Sequence, residues 1–293
     1  MRSFAGLVLT AITVIAMMSG AHADAPEKQK TCLDDSAPNS ERIAACSFVI
    51  KDAAPAEPKD LARIYFARGN AHLALRDYDR ALIDFGTSTQ ADPTAYGPFN
   101  GRGLAFLRQK QFDRAIAEFH ESIQRNPRDP IPLTNRGDAY RGQGRLDRAL
   151  QDYDGAIAIN PKLTRAYFGR ALTLQLKATS DFEGFLDEGR FEELAIAEYG
   201  KLLQITPRNA NALNNRGMLH HARRRYDLAI ADFTQAIDID AADVSFLRNR
   251  AWTYRMMRRF DLAIADYRKA LTLTQDDAGR KSLVKSLGQL GAI

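Results

Sequence analysis

One interval, 34 residues, governs most of this chain. Arg68, Arg102, Arg136, Arg170, Arg216 and Arg250 are separated by 34, 34, 34, 46 and 34 residues. Asp84, Glu118, Asp152, Glu198, Asp232 and Asp266 are separated by 34, 34, 46, 34 and 34. The two long intervals overlap only between Arg170 and Glu198, so a 12-residue insertion sits inside the fourth of six copies. A small residue follows each arginine: Gly69, Gly103, Gly137, Ala171, Gly217 and Ala251. A second small column (Ala81, Ala115, Ala149, Ala195, Ala229, Ala263) precedes by four residues an aromatic one: Phe85, Phe119, Tyr153, Tyr199, Phe233 and Tyr267. Pro93, Pro127, Pro161 and Pro207 close four copies; Ala241 and Gln275 stand there in the last two. A copy of this size cannot bury its apolar face alone, so neighbours must stack into a tandem array.

Within each copy the apolar residues recur at helical spacing, as in Leu104 and Leu107, then Phe112, Ile116, Phe119 and Ile123. Short turns such as Arg141-Gly142-Gln143-Gly144 separate two helices. The small columns let those helices approach closely. Each arginine falls on the first helix and each acid on the second, which predicts a ladder of six Arg–carboxylate pairs.

Taken together, the columns resemble the tetratricopeptide repeat over about Leu61–Asp277. One departure is consistent: arginine replaces the family's usual leucine before the small residue. The resemblance implies an all-α, right-handed α-α superhelix of six helix-turn-helix repeats, with capping helices at both ends. The repeats fall at 62–95, 96–129, 130–163, 164–209 with the insertion, 210–243 and 244–277, within 59–277.

The flanks have other tasks. Residues 1–23 carry one cation, Arg2, an apolar run from Phe4 to about Met18, and a small-x-small end at Ala21-His22-Ala23. That is the pattern of a cleaved secretory signal, with an uncleaved amino-terminal anchor as the alternative. No second apolar run is long enough to span a membrane. The expected destination is the periplasm or the exterior. There Cys32 and Cys46, the only cysteines, are free to form a disulfide, with two free thiols as the alternative. Residues 24–58 are read as an amino-terminal capping segment built on Ile43, Cys46, Val49 and Ile50. Residues 278–293 are read as a capping helix presenting Leu283, Val284, Leu287 and Leu290. In the insertion, Phe182, Phe185 and Leu186 share one helical face, for packing onto the repeat or for a partner.

The 293 residues carry a formal net charge of +5, which becomes +4 without Arg2, and 30 of the 41 cations are arginine. Six of those belong to the ladder, opposite six acids. The remaining excess, including Arg223-Arg224-Arg225 and Arg258-Arg259 in turns, comes without a nucleic-acid motif. No nucleic-acid partner is expected.

No nucleophile elbow, zincin motif, phosphate loop or dinucleotide fingerprint is present, so no catalysis, metal or cofactor is expected. His72 and His220 occupy the family's tyrosine column and are read as structural. In the family the first helices line a concave groove. Counting from the column arginine places Asn211, Asn214, Asn215, Met218 and His221 there in the fifth repeat, and Ser245, Arg248, Asn249, Trp252 and Arg255 in the sixth. Trp252 is the only tryptophan, and Trp and Arg are enriched among interface hot spots. Asn135, Asn215 and Asn249 all precede a column arginine, and an amide can pair with a peptide backbone through both donor and acceptor. The family's clamp for chaperone tails fits poorly: Asn70 matches it, but Phe66 stands where a lysine is expected. The expected function is therefore an exported, non-catalytic scaffold that grips a protein or peptide of unknown identity. The alternative is an envelope-assembly or enzyme-regulating accessory.

Overall fold

The structure, a computed structural model, describes residues 25–52, 57–180 and 189–292, and among these it is helical with no strand. The signal-like segment 1–23 and the three apolar insertion residues lie outside the described residues. Two compact units divide at Arg145/Leu146. The first holds α1 (residues 25–33), α2 (Asn39–Asp52), α3 (Pro58–Ala74), α4 (Tyr78–Ala91), α5 (Gly97–Arg108), α6 (Phe112–Arg125) and α7 (Pro130–Gly142). The second holds α8 (Leu146–Ile159), α9 (Thr164–Ser180), α10 (Arg190–Ile205), α11 (Ala210–Ala222), α12 (Tyr226–Ile239), α13 (Val244–Met256), α14 (Phe260–Leu273) and α15 (Asp277–Gly288). Within each unit every helix from α2 onward packs on the next, and first helices also meet first helices: α3 with α5, α5 with α7, α11 with α13.

Local chemistry explains where helices begin and end. The side chains of Asp77, Asp129, Asn209, Asp243 and Asp276 accept a hydrogen bond from a backbone N–H in the first turn of α4, α7, α11, α13 and α15. In five of the six repeats the inner turn runs through one left-handed residue: Arg76, Lys110, Gly144, Arg224 or Arg258, with φ between 57° and 75°. The next N–H reaches back to the carbonyl five residues earlier, as from Asp77 to His72 and from Arg225 to His220, which closes the helix end. Only Gly144 adopts this φ without a steric cost. In the fourth repeat α9 runs on to Ser180, 17 residues against 13 for α11 and α13, so the insertion begins by extending the first helix.

The small and aromatic columns interlock. A Cβ added at Gly69 would lie 2.7 Å from the Phe85 ring, one at Gly103 2.5 Å from Phe119, and one at Gly217 2.8 Å from Phe233. The position before the column arginine behaves in the same way toward the preceding repeat. A Cβ at Gly101 would stand 2.6 Å from Phe85, and one at Gly169 2.5 Å from Tyr153. The first helix α5 is thus wedged between α4 and α6, and the Phe85 ring is gripped from both sides.

The arginine ladder forms within each unit. Arg68 donates through Nε and Nη2 to both oxygens of Asp84 at 2.9 and 2.7 Å. Arg216 does so to Asp232 at 2.8 and 2.7 Å, and Arg250 to Asp266 at 2.8 and 2.8 Å. Arg102 pairs with Glu118, and Arg170 pairs with Glu198 across the insertion. Arg136 and Asp152 belong to different units. The remaining guanidinium nitrogen works between repeats: Nη1 reaches Ser47 Oγ from Arg68 (3.0 Å), Thr234 Oγ1 from Arg250 (2.9 Å), His120 Nδ1 from Arg136 (3.3 Å) and Asp154 from Arg170. One side chain therefore ties its own helix to two others. The planar five-donor fork is what permits this, which accounts for arginine rather than lysine.

His72 and His220 are buried where other repeats have Phe106, Tyr140, Leu174 or Tyr254. Burial lowers the pKa of both, and the nearby Asp84 and Asp232 only partly oppose it. A lowered histidine pKa means the unfolded chain binds protons that the folded chain refuses. The stability is present in full above the unfolded value of 6.5 and is lost as pH falls toward the folded values. Thermal melts should therefore weaken from pH 7 to pH 5, and His72→Tyr with His220→Tyr should flatten that slope. An unchanged slope would assign it to other groups.

The ends differ in construction. Cys32 of α1 and Cys46 of α2 are joined by a disulfide, both fully buried, beside Arg42, which reaches the Cys32 carbonyl and Asp35. Cys46 and Val49 turn into this cluster with Ala45 and Ile64, while Ile50 packs at its edge. At the other end α15 buries Leu283 and Leu287 and leaves Val284 exposed.

Candidate partner-binding groove

The first helices of the second unit carry nearly all the candidate contact residues. On α13, Arg248 and Trp252 are exposed, with 39% of Trp252 open to solvent, while Arg255 is half-buried and donates to Gln289, just past the end of α15, at 3.0 Å. On α11, Asn211 is exposed and Asn214, Asn215 and Met218 are half-buried.

Trp252 is held rather than loose. Its indole stacks on the imidazole of His221 with ring centroids 3.9 Å apart and planes 32° apart. His221 is buried, and burial lowers its pKa, so a neutral ring lies beneath the indole at pH 7. Its Nδ1 lies 2.9 Å from Thr253 Oγ1, and that hydroxyl donates its single proton to the Asn249 carbonyl at 2.8 Å. His221 must therefore donate from Nδ1, which leaves Nε2 as the acceptor. The imidazole is a floor for Trp252, not a contact residue, because it is covered.

The amides form a directed chain. Asn249 Nδ2 donates to Asn214 Oδ1 at 2.8 Å, Asn214 Nδ2 to Asn215 Oδ1 at 3.4 Å, and Asn215 Nδ2 to Tyr199 Oη at 3.2 Å. Tyr199 then donates to Gln175 Oε1 at 2.7 Å. The first unit repeats the opening link: Asn135 Nδ2 donates to Asn100 Oδ1 at 2.8 Å. Asn135 is fully buried, with its Oδ1 lacking a hydrogen-bond partner.

This geometry corrects the placement of one column. At three positions the residue before the column arginine does not face an open groove. It faces the aromatic ring of the preceding repeat, where Gly101 and Gly169 make room and Asn215 bonds the tyrosine hydroxyl instead. Asn135 and His221 are buried, so they support the surface rather than line it. Asn211, Asn214, Asn215, Met218, Arg248, Asn249, Trp252 and Arg255 remain accessible in whole or part. Sequence reasoning missed Asn100, Tyr199, Gln175 and Thr253. A signal for the first existed: Asn100–Asn135 and Asn214–Asn249 are both 35 residues apart, one more than the repeat.

The arrangement offers a rigid aromatic platform between two cations, beside amides already aligned by neighbours. Such a surface suits an extended segment with an apolar or acidic anchor. Among the described residues no group of three or more His, Cys, Asp or Glu is placed to hold a metal ion.

Sequence patterns of the tetratricopeptide repeat match residues 62–94, 100–164, 210–242 and 247–277, together just over half of the chain. The unmatched gap between 164 and 210 is the repeat interrupted by the insertion. The fold is similar to that of Pseudomonas aeruginosa PilF, at 15% identity and a TM-score of 0.64, covering 78% of this chain and 99% of that one. A tetratricopeptide repeat protein from Parabacteroides merdae is similar over 91% of this chain and 98% of its own, at 17% identity and a TM-score of 0.62. A thermophilic repeat protein of Thermus thermophilus is similar over 68% of this chain and 100% of its own, at 21% identity and a TM-score of 0.52. No protein with a curated description matches the sequence.

Proposed function

The chain belongs to the tetratricopeptide repeat family, and we propose that it is an exported, non-catalytic scaffold that grips an extended segment of a protein partner along α11 and α13. The observation that carries this reading is Trp252: solvent-open, the only tryptophan in the chain, stacked on a buried neutral imidazole and flanked by Arg248 and Arg255. Repeat proteins of this fold act in general as scaffolds, which supports a role without chemistry. Two supports favour export to the periplasm or beyond: the signal-like residues 1–23 and the buried Cys32–Cys46 disulfide, a bond that persists in oxidising compartments. No helix among the described residues is long and apolar enough to cross a membrane.

Purified mature protein, used as bait on an extract of its native compartment, should recover a discrete partner. Trp252→Ala with Asn249→Ala should reduce that recovery at least about tenfold, since a central tryptophan hot spot contributes about 2 kcal/mol or more. Undiminished recovery by a folded double variant would move the binding surface elsewhere.

A further inference from the structure

The ladder has two irregular rungs. From Arg102 onward, the residue 16 positions before the column arginine lies on the second helix of the preceding repeat: Gly86, His120, Asp154, Gly200 and Thr234. His120, Asp154 and Thr234 each meet the arginine Nη1. Gly86 and Gly200 have no side chain to do so. Where the ladder pairs are described, Arg102 and Arg216 are the most exposed arginines, at 28% and 23% against 17–20% for Arg68, Arg170 and Arg250. At Gly200 an added Cβ would still lie 3.9 Å from Arg216 Nη1. At Gly86 it would meet nothing within 4 Å, because a cavity of about 320 Å³ opens there.

 The cavity lies between α4, α5 and α6, and its lining includes Gly86, Thr89, Gln90, Arg102, Phe106 and Arg114. All of these belong to the first unit.

The lining holds two guanidiniums and no acid. Arg114 lies over the Phe106 ring, 3.9 Å from its centroid, and its Nη1 donates to Gln111 Oε1 at 2.6 Å, which leaves its other N–H groups to face the cavity. Arg102 is tied to Glu118 on one side only. Glu118 is a methylene longer than the aspartates of the ladder, and its Oε2 is buried with no hydrogen-bond partner. Arg102 therefore lacks both the two-oxygen contact of Arg68, Arg216 and Arg250 and the contact to a preceding second helix. Thr89 adds a hydroxyl and Gln90 an amide, both able to donate to an oxyanion.

We propose that this cavity is an oxyanion-binding site, in which Arg102 and Arg114 take a carboxylate or a phosphate in the place that Asp154 fills beside Arg170. The ligand replaces a side chain that the repeat pattern omits at Gly86. Guanidiniums suit planar or tetrahedral oxyanions because their N–H groups diverge in a fixed fork.

The test uses the full mature chain at low ionic strength, with calorimetric titration of inorganic phosphate and, separately, of a hexaglutamate peptide. Saturable binding of either is expected. Gly86→Asp should weaken it at least tenfold and raise the melting temperature, since the new carboxylate restores the missing rung and removes a helical glycine. Gly86→Ala, which adds no charge, should retain binding. Arg114→Gln should weaken binding at least tenfold, whereas Arg63→Gln, the same charge loss at an exposed site outside the cavity, should leave it unchanged. Tighter binding of the peptide identifies a protein carboxylate as the ligand, and tighter binding of phosphate a free anion. Absence of saturable binding to both at millimolar concentrations, equal binding by wild type and Gly86→Asp, or equal losses in Arg63→Gln and Arg114→Gln would each overturn the proposal.

Discussion

Replacing Arg216 with alanine should destabilise the protein by about 3–5 kcal/mol, the cost of leaving a buried carboxylate unpaired. Asp232 is 4% exposed and accepts both of its charge-assisted hydrogen bonds from that guanidinium. Removing the arginine strands a charge that cannot reach water without opening the packing of α11 on α12. The paired change Arg216→Met with Asp232→Leu should cost much less, because neither partner is left behind and the volume is kept. Urea unfolding of both single variants and the double variant reads the coupling directly. A single-variant loss below about 1 kcal/mol would place the pair among solvent-screened surface bridges and remove the ladder from the account of the stack.

Truncating Phe85 to alanine should have an effect of similar size, about 3–5 kcal/mol. The ring is fully buried between Gly69 of its own repeat and Gly101 of the next. Its loss opens a cavity at a joint between two repeats, where collapse would require helices to shift. The complementary change is instructive. Gly101→Ala brings a Cβ to 2.6 Å from the same ring and should cost about 1–3 kcal/mol through overpacking. Urea melts of both variants check this pair. If Gly101→Ala were neutral, the close approach of first helix to preceding aromatic would not be a constraint on the stack.

Much of this architecture was legible because packing repeats with the sequence. The arginine and acid columns recur at one interval, so their pairing could be expected before any coordinate. The small and aromatic columns likewise announced a close helix pair. What could not be read was the second contact of each repeated residue. A helical wheel places Asn135 and Asn215 beside a column arginine, but it does not say which flank of the first helix meets the preceding repeat. That flank is why Asn135 is buried and why Asn215 ends on Tyr199. The same blindness hid Gly86, which in sequence is one glycine in a helix and in three dimensions is a missing partner for Arg102. On a helical wheel His221 shares a face with Met218 and Asn214, which marks it as a contact residue. Its neighbour Trp252, 31 residues on, covers it.

The central functional claim, that a partner segment lies along α11 and α13 over Trp252, is tested most directly by crosslinking in the native compartment. A photoreactive amino acid is placed at residue 252, and separately at the exposed Ile83 of α4 as a reference. One discrete crosslinked protein is expected from position 252, lost when Asn249→Ala and Arg248→Ala are added, and no such product from position 83. A product from position 83 alone, or one from position 252 that survives both substitutions, would contradict the claim.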